Sequence, residues 1–322
     1  MTLSSSLGPK MAAYIDLKKA LGRRFTAETH VLTYLDRFMV KRRLSKLTPD
    51  VFTAWGLTFV HLSPTVRRTR MRIVRNFCLY LRRSDRACFV PDPSGFPAPH
   101  EPRRPHIFSE EQIVTLLRVA TRLPSRSTSP LRAAVFRIAI VLLYTAGLRR
   151  GELVRLVISD YDAAEQTLLV RASKFHKSRL VALSKSAAAE MERFLRERRR
   201  LPHAPGAPLL VSNHRGVKAY SGESFGMAMR SLFRKANVRA PDGRIPRVHD
   251  LRHTFAVHAL LRWYRAGADV QAKLPALSTT MGHVSVASTE YYLAMIEPIM
   301  RAASTRFARH CRGILTVAAG GR

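Results

Sequence analysis

Acidic residues are scarce in this sequence: 22 Asp and Glu stand against 55 Lys and Arg in 322 residues, a formal charge of +33. Charge of that size repels itself unless the working partner is a polyanion, so nucleic acid is the first partner to consider and an anionic membrane surface the second. Cysteine is scarce too. Cys78, Cys88 and Cys311 are odd in number and lie in no C-x-x-C spacing, which argues against a disulfide framework or a thiolate zinc site. Long hydrophobic runs are missing: the most apolar stretch, 138–148, is too short to span a bilayer. The first ten residues lack the charged start and apolar stretch of a signal peptide, so the expectation is a cytoplasmic protein with no membrane partner. No G-x-x-x-x-G-K-[ST] phosphate loop is present either.

What the chain does have is enough apolar material, 46% of residues, for a packed core in one or two domains. Its positive charge is not confined to a tail, since residues 1–104 carry +13 and residues 105–322 carry +20. Residues 91–105 hold six prolines in fifteen positions, a composition that neither continues a helix nor joins a central strand. This predicts a helical DNA-clamp domain over 1–90, a linker over 91–106 and a second domain over 107–322. In the first part, helices are expected over 12–21, 27–43, 50–57 and 64–83. Basic residues there cluster as Lys41, Arg42 and Arg43 and as Arg67, Arg68, Arg70, Arg72 and Arg75, with few acids nearby to pair them, which suits a surface laid along phosphates.

Past the linker, Ser109 followed by Gln112 matches a capping box. An all-round apolar helix over 131–146 is expected to be central, with Gly147 as its left-handed stop. Residues 166–171 and 178–183 flank Lys174-Phe175-His176-Lys177, a β-hairpin with a basic tip. Helices follow over 184–200, 221–236 and 248–266, then a closing helix containing Tyr291 and Tyr292. The fold class is mainly α with a small β-sheet. In the helix from Val248, Arg252, Ala256, Ala259 and Trp263 form one stripe with His249 a turn earlier, which aims an arginine inward. An inward arginine cannot shed its charge and needs an anion, either a ligand or a core carboxylate. The H-x-x-R string occurs three times, so context must distinguish this copy.

That context is an ordered set: Thr145-Ala146-Gly147-Leu148-Arg149-Arg150-Gly151-Glu152-Leu153, Lys174 in the hairpin, His249-Asp250-Leu251-Arg252-His253, Gly282-His283, and Tyr292 nine residues on. In this order the pieces resemble the tyrosine recombinase (phage integrase) family over roughly residues 107–295, and the first domain resembles that family's core-binding domain more loosely. The resemblance implies that Arg149 and Arg252 grip a scissile phosphate and that His283 hydrogen-bonds a non-bridging oxygen. It also implies that Lys174 protonates the leaving 5′-oxygen, that His249 accepts or relays the nucleophile's proton, and that Tyr292 attacks phosphorus. Guanidinium forks suit the charge gathered on a phosphorane, so neither metal nor ATP is called for. The implied partners are double-stranded DNA with an inverted-repeat core site, a homodimer on each site and a homotetramer in synapsis, with partner recombinases as further candidates and a nucleoid-associated location.

Lys177 competes with Lys174 as the hairpin-tip acid and otherwise contacts phosphate. Tyr291 and Tyr292 point about 100° apart on a helix, so one alone can serve, and the spacing from His283 favours Tyr292. Gly151 and Met281 depart from the family's usual residues, and the stretch 269–281, with Pro275, is longer than in short chromosome-dimer resolvases, which points to a mobile element. Two readings compete: a type IB topoisomerase, and a DNA-binding protein that has lost catalysis. A zinc protease is excluded because Asp250 stands where the H-E-x-x-H motif needs Glu.

Overall fold

The computed structural model describes residues 3–23, 25–98, 104–171, 178–204 and 206–282, with a few single positions from 301 to 311. The chain divides into two compact units, Met1–Arg103 and Arg104–Arg322. Among the described residues there are eleven α-helices and a single three-stranded sheet.

The first unit holds α1 (Gly8–Ala20), α2 (Thr26–Lys41), α3 (Pro49–Leu57) and α4 (Pro64–Leu81). Proline opens three of the four, where its missing N–H costs nothing. That tolerance explains why α1 starts before residue 12. Along α4, Met71, Val74, Phe77, Cys78 and Leu81 recur at helical spacing and share one buried cluster with Met11, Leu32, Leu35 and Trp55. Buried Asp36 accepts from the backbone N–H groups of Ser4 and Ser5 at 3.0 and 2.9 Å, tying the start of the chain to α2.

The proline-rich stretch expected as a linker over 91–106 is not free along its length. Phe96 lies in the first unit's core, Arg75 Nε donates to the Pro91 carbonyl at 3.1 Å, and Arg68 Nη1 donates to the Pro97 carbonyl at 3.1 Å. Proline has no N–H to offer but keeps its carbonyl, and it is through these carbonyls that the two arginines of α4 hold the stretch. His106 and Phe108 are already buried in the second unit.

The second unit comprises α5 (Glu110–Thr121), α6 (Arg132–Thr145), α7 (Arg150–Leu153), β1 (Tyr161–Asp162), β2 (Thr167–Val170), β3 (Arg179–Ala182), α8 (Lys185–Arg198), α9 (Gly222–Lys235), α10 (Val248–Arg265) and α11 (Val270–Met281). The capping box at Ser109 and Gln112 is formed in both directions. As its all-round apolar sequence requires, α6 is central, packing on α5, α8 and α10. The expected hairpin is β2 and β3, antiparallel with Leu168 opposite Val181, and β1 adds a third strand. Residues 270–281 were not expected as a helix; α11 runs through Pro275 and packs Leu274, Leu277 and Met281 against Ala256 and Leu260 of α10. No helix among the described residues is long and apolar enough to cross a membrane.

Gly147 ends α6 at φ +59°, and a Cβ there would sit 2.4 Å from Phe255 Cδ1. Gly151, inside α7, has only the tip of Arg155 within 3.3 Å of such a Cβ. Gly147→Ala should therefore cost about 1–2 kcal/mol from the left-handed backbone alone. Gly151→Ala should be neutral or stabilising by about 0.5–1 kcal/mol. Urea midpoints at unchanged slope measure both; equal midpoints for the two variants would contradict the assignment of Gly147 as the stop.

Candidate active site

The site is assembled where three chain segments end. After Gly147 the buried Leu148 anchors the turn, and Arg149 takes an extended backbone (ψ 147°) as the residue before α7. Its N–H donates to Glu152 Oε2 at 2.9 Å, so the third helical residue reaches back to close the helix start. Glu152 is nearly inaccessible, with 2% of its side chain exposed, and it carries more than a cap. Arg149 Nη1 donates to its Oε1 at 2.6 Å, and Arg179 of β3 donates through Nη1 and Nη2 at 3.1 and 2.9 Å. Burial alone would raise the Glu152 carboxyl above its ordinary value of 4.5; the Arg179 fork, the Arg149 N–H and the Arg149 guanidinium overcome it and hold the group at about 2.

The same arginines grip the end of α11. Arg179 Nε donates to the Thr280 carbonyl at 2.8 Å, and Arg149 Nη2 to the Gly282 carbonyl at 2.6 Å. Between them Arg252, 1% exposed on α10, donates from Nη2 to the Met281 carbonyl at 2.5 Å and from Nη1 to the Gly147 carbonyl at 2.5 Å. The inward arginine is thus met by main-chain carbonyls at the ends of α6 and α11, in addition to any anion it binds. Helix C-termini carry partial negative charge, which suits a buried cation. Gly282 closes α11 at φ +65°, and a Cβ there would come within 2.7 Å of Arg179 Nη1.

His249 lies one turn before Arg252, with its ring edge-on to His253 at 4.7 Å between centroids. Enclosure of the ring lowers its pKa first, then the neighbouring His253 and Arg252, against the pull of Asp250; the result is about 4, which leaves the imidazole neutral at pH 7, with one ring nitrogen a hydrogen-bond acceptor. His249 and Arg149 line one cavity of about 530 Å³. Asp250 is buried and closes the start of α10, accepting from the Arg247 N–H at 2.8 Å.

Of the residues expected at the site, Arg149, His249 and Arg252 come together here. Lys174, Lys177, His283, Tyr291 and Tyr292 lie outside the described residues. Among the described residues no group of three or more His, Cys, Asp and Glu could hold a metal ion. Glu152 and Arg179 escaped the sequence reading, although Glu152 stands at the capping-box spacing from Arg149. The arginines of α4 do not form one surface. At 100° per residue, Arg68 and Arg75 face the proline-rich stretch, while Arg70 lies over the rings of Tyr34 and Phe59 at 5.5 and 5.3 Å. Exposed Arg72 lines a separate cavity with Lys18, Arg23 and Arg83. At the end of α2, Arg42 stacks on Phe38 at 5.6 Å, Lys41 and Arg43 are exposed, and Arg43 has a left-handed φ of 54°. Arg67 is half-buried.

Because the folded pKa of Glu152 lies below its unfolded value, its contribution to stability is present above pH 4.5 and is lost as pH falls towards 2. Glu152→Gln should lower stability at pH 7 by about 3–5 kcal/mol, since it leaves two arginines facing each other in a buried site. Its stability should also depend less on pH between 4.5 and 2 than the wild type's. Chemical denaturation across that range measures the difference; parallel pH profiles would contradict the role given to this carboxylate.

Residues 107–297 match the phage integrase family. A protein of Sinorhizobium fredii named integrase/recombinase y4rB is 34% identical over 301 residues, 92% of this chain and 95% of its own length. Tyrosine recombinase XerD of Brucella suis is 28% identical over 267 residues, 78% of this chain and 77% of that protein. Among solved structures, the Tn1549 transposon integrase in complex with transposon right end DNA shares the fold at a TM-score of 0.65 and 18% identity, covering 93% of this chain and 98% of that one. With the family's region spanning the arginine frame, α10 and the end of α11, the chain is a member of the tyrosine recombinase (phage integrase) family.

Proposed function

We propose that the chain cleaves and rejoins DNA strands at a specific site through a 3′-phosphotyrosyl intermediate, and that it serves a mobile element. The observation that carries the chemistry is that Arg149 and a neutral His249 line one cavity, with buried Arg252 one turn along α10 from His249 and both arginines fixed in advance. Arg149 and Arg252 hold the non-bridging oxygens of the scissile phosphate, and His283 adds a hydrogen bond to one of them. The Tyr292 phenolic oxygen forms a bond to phosphorus as its proton passes to His249. The bond to the 5′-oxygen breaks, and that oxygen takes a proton from Lys174, leaving a free 5′-hydroxyl and the protein on a 3′-phosphate. Phosphorane charge develops on oxygens already faced by guanidinium groups, so the barrier falls without reorganisation of the site. The phosphotyrosyl ester conserves the energy of the broken phosphodiester, and attack by a 5′-hydroxyl reverses each step, so joining needs no ATP.

The mobile-element assignment rests on the stretch 269–281, longer than in short chromosome-dimer resolvases, and accords with a higher identity to a protein named integrase/recombinase than to one named XerD. A dimer on each inverted-repeat core site and a tetramer in synapsis fit the same reading, with duplex DNA as the partner.

End-labelled nicked duplex incubated with the protein in EDTA should give a protein-linked 3′ species that protease digestion collapses. Tyr292→Phe should abolish that species while DNA binding persists, and Tyr291→Phe should retain it. Arg149→Ala and Arg252→Ala should each lower its rate by orders of magnitude on saturated DNA. Cleavage that requires a metal ion and leaves no adduct would overturn the mechanism.

A further inference from the structure

The cavity that Arg149 and His249 line is also walled by Arg150, Arg230 and Arg247, to which the strand-transfer reaction assigns no role. None of its lining residues is acidic. Arg247 shares its charge with Asp250 at 3.1 Å, whereas Arg150 and Arg230 are exposed and belong to none of the ion pairs among the described residues.

Arg150 leads α7, but its guanidinium lies across α9. A Cβ on Gly226 would sit 3.0 Å from Arg150 Nη1, and one on Gly222 would sit 3.6 Å from its Nε. Gly222, Gly226 and Arg230 succeed one another at four-residue spacing, so they share one stripe of α9. A glycine in the middle of a helix costs about 0.5–1 kcal/mol relative to alanine. What the bare positions supply here is room for the Arg150 guanidinium to lie across Gly222 and Gly226, in the cavity that Arg230 also lines. Guanidinium groups sharing a concavity with Arg149 and Arg247 and no lining acid repel one another unless an anion lies among them.

We propose that Arg150 and Arg230 form a second phosphate seat, which holds a DNA phosphodiester within about two nucleotides of the one that Arg149 and Arg252 present for cleavage. The seat fixes the strand on one side of the reacting phosphate. The identity of its ligand rests on the strand-transfer reading; the seat itself rests on the cavity and its unpaired charge. Two planar forks converging from α7 and α9 suit the paired oxygens of a phosphodiester.

The test uses the full chain and a duplex selected by it from a randomised pool, with single neutral methylphosphonates replacing phosphates one at a time around the cleaved position. For the wild type, neutralising one flanking phosphate should weaken binding about tenfold. Arg150→Ala and Arg230→Ala should bind the unmodified duplex about tenfold more weakly, should lose nothing further at that phosphate, and should each reduce the slope of log K against log salt by about 0.9. Gly226→Ala retains every charge but displaces Arg150, and it should copy Arg150→Ala at the same phosphate. Variants that remain as sensitive as the wild type at every position would overturn the seat. Adduct formation scored on the same complexes separates the two readings: adduct without coupling removes the seat alone, and coupling without adduct removes only the chemistry.

Discussion

Three consecutive carbonyls at the end of α11, those of Thr280, Met281 and Gly282, each accept from a different arginine: Arg179 from β3, Arg252 from α10, and Arg149 from the turn before α7. Elements far apart in sequence are thereby locked to one helix terminus. Three guanidinium groups so close would repel each other if nothing lay beneath them. Glu152 lies beneath two, bonded to both Arg149 and Arg179, and the carbonyls of Gly147 and Met281 meet the third. The arrangement does two jobs with the same atoms. It holds the second unit's elements in register, and it fixes the arginines before any substrate arrives, which is when fixing them is most useful to catalysis.

The shortage of acid noted at the outset makes its placement informative. Glu152, Asp160 and Asp250 are each buried, each stands third in its helix (α7, a single 3-10 turn over Ile158–Asp160, and α10), and each accepts the N–H three residues back, at 2.9, 3.0 and 2.8 Å. Each also pairs with an arginine: Glu152 with Arg149 and Arg179, Asp160 with Arg171, and Asp250 with Arg247. These three carboxylates both start helices and orient arginines.

Much of this could be read from residues. The capping box at Ser109, the apolar girth of α6 and the left-handed stop at Gly147 follow from local chemistry and are present, and of the expected stripe Arg252, Ala256 and Ala259 are buried while Trp263 is partly so. What escaped depends on contacts across the chain. Glu152 has the spacing of a helix cap, but its arginine partner 27 residues on cannot be inferred from that spacing. Arg179 reads as one more basic residue of a hairpin. Pro275 concealed α11, because a proline inside a helix is a stop signal unless packing overrides it, as the contacts with α10 do here. The arginines of α4 looked like one DNA surface because sequence shows their number and not which of them hold backbone carbonyls.

The account stands on a tyrosine attacking the phosphate that the arginine frame presents. Its most direct measurement is mass spectrometry of the covalent protein–DNA complex after nuclease and protease digestion, which locates the residual nucleotide on a single peptide. The account predicts a phosphodiester on Tyr292, with its DNA attached through the 3′ side. A nucleotide on Tyr291, on any other side chain, or attached through a 5′-phosphate would contradict it.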